Sequence, residues 1–233
     1  QFPAVYEMLA NMEAKLHASR SLLYETSRFV DIYKAYYHLS NERNLDKDEK
    51  ADMKHYQKLA DFYTPLLKLF ASEFCNEITY DSLQIHGGSG YMKDYPIQRM
   101  VRDARITNIY EGTSQLQVVA AIRGVTTGHL PKYIHEEYEA KAARYGEEHL
   151  VNTLRSMTSK LEEAVQRVTE GESAEYTDFH ARRLVEICGY IIMGYLMLQD
   201  AERNEKFEKS ARIFIKYAAA KVEAHSAYID NFS

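Results

Sequence analysis

Residues that break helices are scarce in this chain. Glycine and proline account for only 10 and 4 of its 233 residues, which is too few for the many tight turns of a β-rich fold and favours long helices. No segment alternates apolar and polar residues with the two-residue period of a strand. Because hydrophobic residues make up 45% of the chain, it can also bury a substantial core. The sequence therefore predicts an all-α fold.

The first 130 residues contain four segments in which apolar side chains recur with the period of a helix. We predict helices over residues 3–38, 51–87, 96–109 and 114–124. Pro96 falls in the first turn of the third helix, where proline is tolerated. A solvated connection is expected from Leu39 to Lys50. Short connections between successive helices are typical of an antiparallel four-helix bundle.

The composition changes after Pro131. An apolar stripe from Leu150 to Val168 lies among many charged residues and predicts another helix. A break is expected from Gly171 to Thr177, followed by helices over residues 178–198 and 204–228. We therefore divide the chain into a helical-bundle domain at residues 1–130 and a C-terminal helical extension at residues 131–233.

The charge balance and the apolar runs limit the partners of this chain. A net charge of −5 argues against a nucleic-acid surface, which needs concentrated Lys and Arg. The longest apolar run, Leu184 to Leu198, is interrupted by Glu186 and is shorter than the roughly 20 residues that span a bilayer. No signal peptide is visible, so we expect a cytoplasmic protein without a membrane partner.

The cysteines and histidines suggest neither a disulfide nor a metal site. Cys75 and Cys188 lie far apart in apolar helical segments, as expected for buried thiols in a reducing compartment. The run from His135 to Glu139 begins like a zinc-protease signature but lacks the second histidine. We therefore predict no metal site.

The segment from Gln84 to Arg123 carries most of the chemistry that the sequence suggests. Glu111 lies in Tyr-Glu-Gly-Thr between two predicted helices, where Gly112 relaxes the backbone constraint and Thr113 can cap the next helix. A carboxylate on such a turn is a general base when a closed apolar pocket covers it, because a shielded carboxylate holds a proton more readily. Without that cover it is a solvated residue near a helix dipole.

Two glycines at the end of the second predicted helix also have two interpretations. Gly87 and Gly88 are either a helix C-terminal cap or a place where a phosphate approaches backbone N–H groups. The residues alone leave both interpretations open.

Taken together, the motifs of this segment resemble the C-terminal helical domain of the FAD-dependent acyl-CoA dehydrogenases. The matching residues are Gln84-x-x-Gly87-Gly88-x-Gly90, Tyr95-Pro96, Arg102-Asp103-Ala104-Arg105 and Tyr110-Glu111-Gly112-Thr113-Ser114-Gln115. The opening helix adds Leu9-Ala10-Asn11-Met12 and Ala18-Ser19-Arg20. The resemblance covers roughly residues 1–125, and the later residues resemble the extra helical domain of longer relatives.

The resemblance implies an oxidoreductase of fatty acid β-oxidation. Such an enzyme removes an α proton and a β hydride from an acyl-CoA thioester and gives a trans-2-enoyl-CoA, with FAD as the hydride acceptor. Glu111 corresponds to the base, and its backbone N–H corresponds to a donor to the thioester oxygen. Tyr110 and Gly112 correspond to residues beside the acyl substrate.

The same resemblance implies cofactor contacts and partners. Gln84, Gly87 and Gly88 correspond to residues that contact the FAD adenylate and pyrophosphate of a neighbouring subunit. Thr113 and Gln115 correspond to positions that reach the flavin or its phosphates. A homodimer or homotetramer is therefore expected, with an electron-transfer flavoprotein or a similar protein as electron acceptor.

One departure and one expectation accompany the resemblance. Pro3 stands where many family members have a glutamine that contacts FAD. The family's N-terminal helical and β-barrel portions would precede Gln1, so we expect the chain alone to bind FAD weakly or not at all and to lack turnover. Two alternatives stay open, namely an acyl-CoA oxidase-type relative and a non-catalytic helical assembly module.

Overall fold

The structure is a computed structural model that describes residues 2–144, 147–171 and 173–232. Within these residues every regular element is a helix, which confirms the all-α prediction. In chain order the elements are α1 (Pro3–Glu42), α2 (Lys47–Tyr91), α3 (Ile97–Ile106), α4 (Ser114–Thr126), α5 (His129–Tyr133), a π-helix (Ile134–Glu139), α6 (Ala140–Ala142), α7 (Glu148–Thr169), α8 (Ala174–Arg203), a 3₁₀-helix (Glu205–Phe207) and α9 (Glu208–Asn231).

Helices α1 and α2 form a long antiparallel pair. Contacts that lie later in α1 lie earlier in α2, as three examples show. The Tyr36 hydroxyl lies 3.0 Å from Asp52, the rings of Phe29 and Tyr63 are 4.8 Å apart, and Lys15 lies 2.7 Å from Glu77. Helices α3 and α4 then pack against α2, as the bundle prediction requires.

The connection between α1 and α2 is shorter than the sequence suggested. Helix α1 continues to Glu42, and α2 begins at Lys47. Asp46 caps α2 by accepting a hydrogen bond from the Glu49 N–H at 2.9 Å, while the Glu49 carboxylate accepts one from the Asp46 N–H at 3.0 Å. This reciprocal capping satisfies two N–H groups at the start of the helix. The polar residues between Leu39 and Lys50 are therefore mostly helical, and the predicted loop was too long.

Helix α2 breaks near its end at a glycine. Gly87 has φ 60° and ψ −151°, a conformation that favours glycine because it lacks a Cβ. The glycine interrupts the helix where the sequence predicted its end, but helical hydrogen bonding resumes and α2 continues to Tyr91. The chain then turns, and α3 begins directly after Pro96.

The chain after residue 130 is also helical but less regular than predicted. Helix α7 matches the stripe from Leu150 to Val168. Before it, α5, the π-helix and α6 form a short run with changing hydrogen-bond spacing. Helix α8 begins at Ala174, inside the predicted break, because Ser173 accepts a hydrogen bond from the Tyr176 N–H at 3.2 Å and caps it.

Helix α8 lies at the centre of the core. It packs against α9, α7, α4 and α1. Gly189 faces α2 so closely that a Cβ at this position would lie 2.1 Å from the Phe70 ring. Among the described helices, α8 alone is long and apolar enough to cross a membrane, yet 78% of its apolar window is buried inside the protein. This burial is typical of a core helix.

One hydrophobic core includes residues from both halves of the chain. Phe29, Phe70 and Val118 belong to the same buried cluster as Leu161 and Phe214. The division near residue 130 therefore stays a prediction about the sequence, while the packing is continuous across it. Cys188 is buried, Cys75 is half-buried, and both thiols are free.

Candidate active site

Glu111 lies in a tight turn that joins α3 to α4. The turn begins where the Thr107 N–H donates to the Ala104 carbonyl at 3.0 Å, and it closes where the Ser114 N–H donates to the Asn108 carbonyl at 3.2 Å. Glu111 has φ 52°, which makes it the one non-glycine residue with a positive φ among the described residues. Because this conformation is costly for a side chain other than glycine, surrounding contacts must hold it.

The carbonyl of Gly112 is the main point at which the turn is held. It accepts hydrogen bonds from Lys68 Nζ at 2.7 Å and from Gln117 Nε2 at 3.1 Å. Gly112 itself has φ 92°, and a Cβ there would lie 2.6 Å from Gln117 Nε2. The backbone angle therefore favours glycine at this position, and a Cβ would also displace the Gln117 amide that holds the turn.

A carboxylate from α2 holds both ends of the turn. Glu73 accepts a hydrogen bond from the Ser114 hydroxyl at 2.5 Å and one from the Asn108 side-chain amide at 3.5 Å. On the α3 side, Asn76 donates to the Ala104 carbonyl at 3.0 Å. At the other end, Thr113 caps α4 by accepting from the Leu116 N–H at 3.3 Å, which confirms the predicted cap.

The Glu111 side chain is exposed in this chain. The neighbouring Tyr110 is 49% exposed, and its ring lies 5.9 Å from Lys68 Nζ. Within the described residues the Glu111 carboxylate has no salt bridge. Other apolar side chains of this region also remain open to solvent, namely Ile106, Ile109, Leu116 and Val119. The apolar cover that a base needs is therefore not supplied by the described residues.

The glycine segment lies at the other end of α3. Gln84, Gly87 and Gly88 are exposed, and Cβ atoms at the two glycines would have no neighbour within 4 Å. Their backbone is therefore open to a ligand or to a second chain. Since α3 has 10 residues, about 15 Å of helix separates this segment from the Glu111 turn.

The predicted site residues therefore form two groups. Tyr110, Glu111, Gly112, Thr113 and Gln115 lie together in the turn and at the start of α4, whereas Gln84, Gly87 and Gly88 lie at the far end of α3. Thr113 and Gln115 are exposed. Both groups leave polar atoms and backbone accessible, which is compatible with contacts to an FAD molecule. The geometry does not require a single FAD to bridge the two groups.

Sequence reasoning did not identify the residues that hold the turn. Lys68, Glu73 and Gln117 belong to no motif and lie on ordinary helical segments. Their role depends on which face of α2 packs beside α4, and helical period alone does not give that information.

Two family models match consecutive parts of the chain. The model described as "Acyl-CoA dehydrogenase, C-terminal domain" matches residues 43–126, and the model described as "Acyl-CoA dehydrogenase C terminal" matches residues 126–233. This chain belongs to the acyl-CoA dehydrogenase family. The resemblance inferred from the motifs is thereby confirmed, and the second model shows that the family relationship extends through α9.

Relatives with named activities match about half of this family member. A caffeyl-CoA reductase-Etf complex subunit, CarC, of Acetobacterium woodii is 38% identical over 50% of this chain and 24% of its own length. A 3-(aryl)acrylate reductase of Clostridium sporogenes is 41% identical over 50% of this chain and 25% of its own length. A cyclohexane-1-carbonyl-CoA dehydrogenase of Geobacter metallireducens is 34% identical over 52% and 26%. The matches thus span about a quarter of these relatives.

Solved structures show the same fold over the whole chain. An acyl-CoA dehydrogenase complexed with FAD from Bacillus anthracis aligns with a TM-score of 0.71 at 22% identity, over 98% of this chain and 42% of that one. Caenorhabditis elegans ACDH-11 in complex with C11-CoA aligns with a TM-score of 0.63 at 20% identity, over 100% and 41%. At these identities the likeness supports the fold alone.

Proposed function

We propose that this chain is the C-terminal part of an FAD-dependent enzyme that introduces the α,β double bond of acyl-CoA thioesters, with Glu111 as the base. The observation that carries the proposal is the Glu111 turn. In a member of this family, a glutamate adopts a costly left-handed conformation, and Lys68, Gln117 and Glu73 are committed to holding the turn around it.

In the proposed reaction a carboxylate oxygen of Glu111 accepts the α proton of the acyl-CoA. The α carbon of a thioester is weakly acidic, so its proton is removed only by a well-placed base. FAD, when bound, supplies a hydride acceptor for the β carbon. The Glu111 backbone N–H is available to polarise the thioester oxygen, and Tyr110 and Gly112 lie beside the acyl group. Substrate and the remaining protein would provide the apolar cover that the described residues lack.

The cofactor contacts divide between the two groups of residues. Thr113 and Gln115 are proposed to contact the flavin or phosphates of the FAD next to Glu111. Gln84, Gly87 and Gly88 are proposed to contact the adenylate and pyrophosphate of FAD in a neighbouring subunit, because their backbone is open and far from the Glu111 turn. This arrangement requires a homodimer or homotetramer. We also propose a cytoplasmic enzyme with an electron-transfer flavoprotein as acceptor, which the name of the CarC relative supports.

Replacement of Glu111 in the longer flavoenzyme tests the proposal. We expect Glu111→Gln to keep FAD bound and to lower the rate of flavin bleaching by acyl-CoA by at least about 10³-fold, within the range for loss of a general base. The matched control is Glu163→Gln, on the exposed face of α7, which should bleach at the wild-type rate. Unchanged bleaching with Glu111→Gln would instead favour the non-catalytic assembly module.

Two further measurements separate the related alternatives. Hydrogen peroxide formed in stoichiometric amount during aerobic turnover would identify an acyl-CoA oxidase-type enzyme. Two of the relatives are reductases, which favours a second candidate function. In it the same proton and hydride transfers run in reverse, from enoyl-CoA to acyl-CoA. The rates of acyl-CoA oxidation and of enoyl-CoA reduction, measured on one preparation, show which direction the enzyme favours. The chain of 233 residues alone is expected to be colourless and without turnover, because FAD contacts from other domains would be missing.

A further inference from the structure

An arginine in the C-terminal half of the chain contacts Glu73, the carboxylate that holds the Glu111 turn. Arg182 lies on α8 and places its Nη2 3.4 Å from Glu73 Oε1. Its Nε donates to Glu186 Oε1 at 2.8 Å. The guanidinium therefore joins a carboxylate of α8 to the carboxylate of α2 that holds the turn.

Glu73 connects Arg182 to both ends of the turn. The oxygen that faces Arg182 also accepts the hydrogen bond from the Ser114 hydroxyl, and the second oxygen faces the Asn108 amide. Ser114 and Asn108 in turn share the backbone hydrogen bond that closes the turn. A shift of the Glu73 carboxylate therefore moves the residues that flank Glu111.

Arg182 is itself fixed from the opposite side. Glu186 is only 15% exposed, and its second oxygen lies 3.1 Å from Nε2 of His225 on α9. Burial favours the neutral acid, but the contacts with His225 and Arg182 hold the pKa of Glu186 below its ordinary value. A charged, anchored carboxylate orients a guanidinium well, because the planar fork of arginine loses little freedom when two acceptors bind it.

We propose that Arg182 is a positioning residue for Glu111, so that the helices after residue 130 set the geometry of the base. The inference rests on the proposed function, since positioning affects catalysis only where Glu111 is the base. It assigns a role in the reaction to the C-terminal half of the chain.

Hydrogen exchange in the chain itself tests the positioning directly. The Ser114 amide closes the turn, so its exchange reports how well the turn is held. We expect Arg182→Gln to accelerate exchange at Ser114 several-fold by NMR, with unchanged exchange in the centre of α8. Arg182→Lys keeps a charge near Glu73 and should give an intermediate rate. It also provides a folded variant should the glutamine variant not fold.

The matched control is Arg167→Gln. Arg167 makes a similarly exposed ion pair with Asp230 at 2.6 Å, but this pair joins α7 to α9 and does not touch the turn. The Arg167→Gln variant should leave exchange at the Ser114 amide unchanged. Equal exchange at Ser114 in the wild type, Arg182→Gln and Arg167→Gln would overturn the positioning role.

Turnover in the longer flavoenzyme tests the consequence for catalysis. We expect Arg182→Gln to lower kcat by about 10-fold, below the loss of up to roughly 100-fold that a misplaced catalytic group causes. The KM for acyl-CoA and the FAD content should stay at the Arg167→Gln values. The double variant Arg182→Gln, Ser114→Ala should lose less kcat than the two single losses combined, because both residues act through Glu73.

The two measurements fail in different ways. If the wild-type flavoenzyme is not reduced by acyl-CoA, the proposed function is wrong, whereas exchange at Ser114 still decides whether Arg182 holds the turn. If the wild type is active and Arg182→Gln has the kcat of Arg167→Gln, the positioning role in catalysis is wrong and the function of Glu111 stands.

Discussion

The hydroxyl of Tyr138 lies 2.8 Å from the hydroxyl of Tyr63, and both side chains are buried. Tyr138 also donates to Glu25 at 3.1 Å, so Tyr63 is the donor to Tyr138. The π-helix is thereby joined through polar groups to α2 and to α1. A buried hydroxyl that loses its acceptor keeps the full cost of desolvation.

Tyr138→Phe should therefore destabilise the chain by about 1–3 kcal/mol, because the Tyr63 hydroxyl is left buried without an acceptor. Urea unfolding followed by circular dichroism measures the change. The matched control is Tyr195→Phe. The Tyr195 hydroxyl lies near Thr158 but makes no hydrogen bond of normal geometry within the described residues. Because this hydroxyl is already buried without a partner, its removal should leave stability unchanged or raise it, and an equal loss in both variants would contradict the proposed network.

Gly112→Ala should destabilise the chain by about 1–3 kcal/mol. The new Cβ would meet the Gln117 side chain at 2.6 Å, and the backbone has φ 92°. The control is Gly88→Ala, where the Cβ would have open space and the change should stay within about 1 kcal/mol. Thermal unfolding of the two variants gives the comparison. Equal stability would mean that the turn accommodates a side chain at residue 112.

His135 predicts a dependence of stability on pH. Burial lowers the pKa of His135, but its hydrogen bonds to Glu162 and Glu139 outweigh that effect and raise it above 6.5. A raised pKa means that the contribution is complete below pH 6.5 and is lost as the pH rises through the folded value. Compared with His135→Gln, the wild type should be more stable near pH 6 and equal near pH 9.

The size of this difference should be less than about 1 kcal/mol, because the ion pairs of His135 are open to solvent and screened. Unfolding midpoints measured in urea at several pH values test it. His38→Gln is the control, since His38 is exposed on α1 and contacts the Tyr37 ring rather than a carboxylate. A difference that grows with rising pH would contradict the assignment.

Periodicity and turn residues gave the helices of this chain, and local chemistry explains where they begin. Thr113 caps α4 as its position predicted, and Gly87 interrupts α2 where glycine was expected to end it. The polar residues before Lys50 suggested a long loop. Asp46 and Glu49 instead form the capping box that starts α2 at Lys47, so most of the polar residues are helical. Sequence reasoning missed the helical run that contains the π-helix, although Leu130, Ile134, Tyr138 and Ala142 recur at four-residue spacing and are all buried.

The site was predictable in its motif but not in its supports. Glu111, Gly112 and Thr113 are neighbours in sequence, so this short motif was enough to predict the turn. Glu73 lies 41 residues before Ser114 and 109 before Arg182. Contacts across such separations are set by helix packing, and a single sequence does not record which faces meet.

The close approach of Gly189 to Phe70 limits which C-terminal halves could replace that of this chain. The two family models meet at residue 126, which makes that junction a natural crossover point for chimeras. A relative with a larger residue at the position of Gly189 would collide with the Phe70 ring of this chain. Side-chain volume between α2 and α8 is therefore a condition that any compatible C-terminal half must meet, whatever the sequence at the junction.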